Sequence, residues 1–154
     1  MRIVKSIFLF LCLFLLQTGC ITTQPKSGTP RGFALYPDTK VFRAVSPDGV
    51  MYRIRIENNK PFAELTFWKK ALKKRMLDAG YNFVNESEIS TENQKGYLLE
   101  LTAPLGEKDY TYLVAIFLNG KKEIIIAEAC GEINRFTIQR DKIIAAIKTI
   151  KIAK

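Results

Sequence analysis

Tyr110–Ala129 reads YTYLVAIFLNGKKEIIIAEA, two apolar runs meeting at Asn119-Gly120. Asn-Gly between apolar runs is the strongest short signal for a β-hairpin. Both residues tolerate the positive φ that a type I′ turn demands, and that turn matches the twist of paired strands. The spacing predicts strands over Tyr110–Leu118 and Lys122–Ala129. Ile124, Ile125 and Ile126 are consecutive. A strand with apolar residues on successive positions presents them to both sides, so both faces of this strand are expected to be covered, as in the middle of a sheet.

Upstream, Gly96–Pro104 reads as a further strand joined to the hairpin by a loop containing Gly106, and Tyr81–Val84 as another, followed by a polar loop over Asn85–Lys95. Lys40–Val45 and Val50–Glu57 flank Ser46-Pro47-Asp48-Gly49, whose Pro and Gly occupy favoured turn positions. In the second of these strands Tyr52, Ile54 and Ile56 alternate with Met51, Arg53 and Arg55, which predicts one buried and one wet face. Pro61–Ala79 is expected to be a helix, with Pro in its first turn and Gly80 after its last residue. Leu65, Trp68, Leu72, Met76 and Ala79 recur at three- and four-residue spacing as its apolar stripe. A last helix over Phe136–Lys151 buries Phe136, Ile143, Ile147 and Ile150. The order ββαββββα implies an α+β fold, an antiparallel sheet of about six strands flanked by helices.

This order resembles the PsbP-like fold, shared by the photosystem extrinsic protein, a Ran-binding nuclear import factor and the bacterial DcrB-like lipoproteins. The matching pieces are Pro47-Asp48-Gly49 between the first strands, the helix ending at Gly80-Tyr81, the turn at Asn119-Gly120, and Gly131–Phe136 before the last helix. The resemblance spans residues 33–152, with Val50 where an aromatic often follows the early turn. It implies binding and assembly roles more often than catalysis and carries over no catalytic residue.

The N-terminus has a different character. Arg2 and Lys5 precede Ile7–Leu16, ten unbroken apolar residues, too few to span a bilayer comfortably but suited to the core of an export signal. Leu16-Gln17-Thr18-Gly19-Cys20 follows. It resembles the lipobox of bacterial lipoproteins, with Gln17 where an aliphatic residue is usual. The resemblance implies that residues 1–19 are removed and that Cys20 becomes the lipid-modified first residue. A retained signal anchor is the alternative, and either arrangement places the rest of the chain outside the cytoplasmic membrane. Each buried acyl methylene contributes about 0.8 kcal/mol, so several chains hold a protein durably. Ile21 replaces the Asp that resembles an inner-membrane retention signal, which points to the outer membrane, facing the periplasm. Residues 20–32, rich in Thr, Pro, Gly and Ser, read as a lipidated tether with a reach of roughly 20 Å, and residues 33–154 as one domain.

Without the export segment the chain has 22 basic and 15 acidic residues, a balance of +7. This favours anionic surfaces such as phospholipid head groups, acidic glycans or an acidic protein face. The basic residues are scattered and accompany no nucleic-acid motif, so nucleic acid is not an expected partner. The chain contains no histidine, which removes Ser-His-Asp and Cys-His chemistry and the commonest metal ligand. The domain retains one cysteine, Cys130, expected to be a buried, inert thiol. No cofactor or metal motif is present. The carboxylate pairs Glu86/Glu88 and Glu107/Asp109 are expected to be solvated turn residues, and no enzymatic activity is expected.

The candidate interaction surface is the outer side of the first helix, where Phe67, Lys69, Lys70, Lys73, Lys74 and Leu77 fall, with Arg75 at its border. A basic face with two large apolar residues suits a membrane or a partner. The alternative is that Phe33–Asp38 covers Phe67 and Leu77 while the lysines only solvate the helix. Three functional classes remain open: a binding or assembly-support lipoprotein, a carrier or sensor of a small apolar ligand held between sheet and helix, and a hydrolase using two facing carboxylates.

Metabolic labelling with radioactive palmitate is expected to mark the wild-type product and to leave Cys20→Ser unlabelled. An unlabelled wild type, or intact precursor free in the cytosol, removes the anchor.

Overall fold

The hairpin at Asn119-Gly120 forms the middle of a seven-stranded antiparallel sheet. The computed structural model describes residues 27–36 and 41–151. Its strands are β1 (Ala34–Leu35), β2 (Phe42–Val45), β3 (Met51–Asn58), β4 (Asn82–Ser90), β5 (Lys95–Leu105), β6 (Lys108–Asn119) and β7 (Glu123–Glu132). Helix α1 (Leu65–Asp78) lies between β3 and β4, and α2 (Ile133–Lys148) follows β7. The spatial order is β1-β2-β3-β7-β6-β5-β4. After β3 the chain crosses one face as α1, reaches the far edge, and returns strand by strand until β7 pairs with β3.

Each face of the sheet has its own apolar layer. On one, Tyr52, Ile54, Leu113, Phe117 and Ile125 pack under Phe136, Ile143 and Ile147 of α2, with Ile150 just beyond the helix end. On the other, Leu99, Leu101, Val114 and Ile116 pack under Leu65, Trp68, Leu72 and Met76 of α1. Ile125 serves the first layer and Ile126 the second, as their adjacency requires. The helices sit differently. α2 buries Phe136, Gln139, Ile143, Ala146 and Ile147, whereas no residue of α1 is fully buried. The contacts of α1 fall mainly on β5 and β6, with Ile126 of β7 at the layer's border, so the β2–β3 part of its face and the far end of β7 stay open.

Several expected boundaries change, each for a local reason. A short β1 pairs with β2 and adds a strand to the expected six. The polar stretch after Val84 is not a loop. β4 continues to Ser90, paired along β5, with a bulge between Phe83 and Asn85 that absorbs an irregular register. The hairpin turn is not the expected two-residue form. Asn119 stays in the strand opposite Glu123, and the positive φ falls on Gly120 alone, at 57°.

Asn59, buried in the β3–α1 connection, accounts for this turn and for the helix start. Its backbone N–H donates to the Lys122 carbonyl at 2.7 Å, and its side-chain amide donates to Lys121 O at 3.0 Å and Ala63 O at 3.2 Å. Its carbonyl oxygen accepts from Ala63 N at 3.2 Å and Trp68 Nε1 at 2.6 Å. The turn carbonyls thus face Asn59, and the residues from Pro61 to Glu64 are drawn around it, so α1 begins at Leu65 rather than in the expected turn at Pro61.

Asn59→Ala leaves these buried groups without partners and is expected to cost roughly 1–3 kcal/mol of unfolding free energy. Trp68→Phe, which removes one of the hydrogen bonds, is expected to cost less. Urea denaturation of the two variants checks the order.

Candidate functional site

The open half of the α1-side face is built by β2, β3 and β7. Their pairing places Arg43 opposite Arg53, Arg53 opposite Glu128, and Met51 opposite Cys130. β6 contributes Tyr112, opposite Cys130 from the other side. These side chains and Tyr36 line a half-open cleft of about 460 Å³. Met51 is 60% exposed on its floor. A second groove of about 390 Å³ continues between α1 and β3/β7, past Arg55, Trp68, Leu72 and Ile126.

Glu128 organises the charges. Its side chain is 6% exposed and accepts hydrogen bonds from Arg53 Nε, Arg55 Nε at 3.2 Å, and the Tyr112 hydroxyl. Burial alone would raise the Glu128 carboxyl, but these donors outweigh it and hold it below the ordinary carboxylate range. Burial, then the hydrogen bond to Glu128, pushes the Tyr112 hydroxyl far above its usual value. Burial likewise raises the Cys130 thiol, so it stays protonated and unreactive near neutral pH. Arg55 also reaches Glu57. Arg43 and Arg53 stand directly across paired strands; Glu128 answers Arg53, while Arg43 is exposed and has no ion pair among the described residues. The cleft thus offers guanidinium donors beside an apolar floor, which suits a carboxylate or phosphate joined to an apolar body.

Cys20 lies outside the described residues. The α1 residues picked out from the sequence divide into two sets. Lys69 and Lys73 turn toward the sheet and grip Glu86 of β4 at 3.0 and 2.9 Å. They also lie over the rings of Tyr97 and Phe83. Lys70 and Lys74 point to solvent, Lys74 pairing with Asp78 at 2.6 Å. Phe67 and Leu77 remain 47% and 43% exposed. Phe33, expected as part of a cover for them, packs into the α2-side layer instead. Glu86 is bound by lysines in a strand rather than solvated in a turn. Glu107 lies in the tight β5–β6 turn, and Asp109 in β6. Among the described residues no three His, Cys, Asp or Glu side chains converge as metal ligands.

The Arg43–Arg53–Glu128 cluster was not picked out from the sequence. Its signals were a lone glutamate inside the Ile124–Ala129 run and two arginines on the wet side of β3. What joined them was the pairing of segments some seventy residues apart, which local pattern does not encode.

No family model matches the chain, and no curated protein is similar to it in sequence. Solved structures are similar in shape. Cyanobacterial PsbP (CyanoP) from Synechocystis shares 14% identity at a TM-score of 0.57, over 89% of this chain and 96% of that one. The fold is PsbP-like. LpqN, involved in cell envelope biogenesis in Mycobacterium tuberculosis, aligns at a TM-score of 0.66 and 11% identity, over 88% of each chain. A Pseudomonas aeruginosa protein of unknown function aligns at 0.62 and 9% identity, over 79% of this chain and 98% of that one. At these identities the likeness is one of fold.

The depressed Glu128 pKa stabilises the folded state above the unfolded carboxyl value of 4.5, and that stabilisation is lost as pH falls through the lower folded value. Glu128→Gln is expected to lose about 1–3 kcal/mol at pH 7. Its stability should then fall less steeply than the wild type's between pH 5 and pH 3, measured by thermal unfolding across that range.

Proposed function

We propose that this chain is a cell-envelope lipoprotein, anchored through Cys20, whose PsbP-like domain binds a partner or supports an assembly without catalysing a reaction. In this reading residues 1–19 are the export signal, residues 20–32 lead from the lipidated end into the domain with Ser27 and Gly28 already seated at the end of α2, and the domain faces the periplasm from the outer membrane. The observation that carries the binding role is the cleft on the open half of the sheet, where Arg43 and Arg53 stand opposed beside Met51 and Tyr36. An exposed arginine with no ion pair among the described residues, beside a second arginine held by Glu128 at an apolar opening, suits an anionic group on a partner. The outward residues of α1, Phe67, Lys70, Lys74 and Leu77, offer a second contact area. The association of LpqN with envelope biogenesis agrees with the compartment proposed here.

A carrier or sensor of a small ligand is the second reading. It is favoured by the volume of the cleft, about 460 Å³, which is of the size that small-molecule sites occupy. The ligand would carry an apolar body and an acidic end, and it would lie on the sheet's open half rather than beneath a helix.

A photoreactive amino acid at Met51, in cells, is expected to give a discrete crosslinked product that Arg43→Glu in the same chain weakens several-fold. A protein-sized adduct supports the binding module, and an adduct of a few hundred daltons supports the carrier. The same yield with and without Arg43→Glu sinks the cleft as the site. Cys20→Ser serves as the control for dependence on the anchor.

A further inference from the structure

One end of the sheet differs in charge from the rest of the molecule. The register brings together the end of β3, the β6–β7 turn and the β4–β5 turn. α2 starts at the opposite end, directly after β7, and runs back, so its exit arrives beside them; Lys151 reaches Glu92 of the β4–β5 turn at 3.4 Å. Lys60, Lys95, Lys121, Lys122, Lys148 and Lys151 are all exposed there. Among the described residues only Lys151 of these six pairs with a carboxylate. Of the acidic groups at this end, Glu92 pairs with Lys151 and Glu57 with Arg55; half-buried Glu123 accepts from the neutral Asn119 amide, which does not cancel its charge, and Glu64 and Glu88 have no ion pair among the described residues. The opposite end is mixed, with Asp48, Glu107, Asp109 and Glu132 beside Lys108 and Arg135.

Two further observations fall on the lysine end. Phe62, in the β3–α1 connection, is 69% exposed and shares a shallow depression with Gly120, Lys121 and Lys122. An exposed aromatic among lysines is the composition of surfaces that sit at a lipid headgroup boundary. The described chain also enters the domain at the C-terminal end of α2. The Gly28 N–H donates to Thr149 Oγ1 at 2.9 Å, and the Ser27 hydroxyl donates to Ala146 O at 3.3 Å. Cys20 precedes Ser27 by seven residues, which span at most about 25 Å. That reach is shorter than the sheet, whose longest strand runs roughly 40 Å.

We propose that the lysine end of the sheet, with Phe62, docks on an anionic phospholipid bilayer, so that the strands stand on the membrane and the Arg43–Arg53 cleft is held at its side, open to the periplasm. The orientation rests on the Cys20 anchor proposed above. The anchor confines the domain near a surface, and the lysines choose which end meets it. Bilayer attraction to clustered lysines acts within a Debye length, so contact depends on anionic lipid and on salt.

The test uses the full lipidated protein reconstituted into vesicles of phosphatidylethanolamine with phosphatidylglycerol, or of phosphatidylcholine alone. Flotation reports anchoring, and lysine acetylation read by mass spectrometry reports orientation. In anionic vesicles Lys95, Lys121, Lys122 and Lys148 are expected to react about five-fold more slowly than in phosphatidylcholine, with Lys108 and Lys74 unchanged. High salt, or Lys121→Glu with Lys122→Glu, should remove the protection of Lys95 and Lys148. Flotation with equal rates in both vesicles overturns the docking and leaves the anchor standing, as does protection confined to Lys70 and Lys74, which would turn α1 to the lipid. Failure to float with either vesicle overturns the anchor and the docking together.

Discussion

Eight residue pairs between β3 and β7, from Met51–Cys130 to Asn58–Glu123, hold the two halves of this chain together. Everything else is placed by that contact. It closes the meander against the first strands and forces the connection to cross a whole face as α1. It also sets Arg53 and Arg55 beside Glu128. Because side chains alternate along a strand, a slip of one residue would turn Glu128 toward the α2-side layer and Ile125 outward. The buried ion cluster and the apolar layers therefore specify the same register, from opposite faces of one strand.

The two helices divide the work unequally. α2 is bedded in the sheet through five buried residues and through Arg140, which clasps Glu100 at 2.9 Å. α1 lies over the other face with none fully buried and is steadied at its borders by Asn59 on one side and Glu86 on the other. A helix held at its borders leaves part of its sheet uncovered. The Arg43–Arg53 cleft exists because α1 covers β5 and β6 and stops short of β3.

The strand order, the two helices and most core positions were legible in the sequence because each has a local period. Consecutive isoleucines in β7 announced two covered faces, and the stripes of both helices are the ones found packed, except Ala79, which lies exposed past the end of α1. Polar composition misled at Asn85–Ser90, where an edge strand needs one apolar position, Ile89, while its other residues stay wet or meet lysines. The Asn119-Gly120 turn kept its place and changed its form, because Asn59, sixty residues earlier, captures its carbonyls. The α1 surface was legible as a basic face. That Lys69 and Lys73 fold inward onto Glu86 depends on the β4 bulge and has no sequence signature.

That bulge has a bearing on how many copies of this protein can share a confined space. Open sheets carry rows of unused backbone donors at both flanks, which invite stacking into fibres. Here one flank is β1, two residues long, and the other is β4, kinked between Phe83 and Asn85 and carrying Glu86 and Glu88. Neither flank is a straight, neutral template, so crowded neighbours slide past one another instead of zipping together.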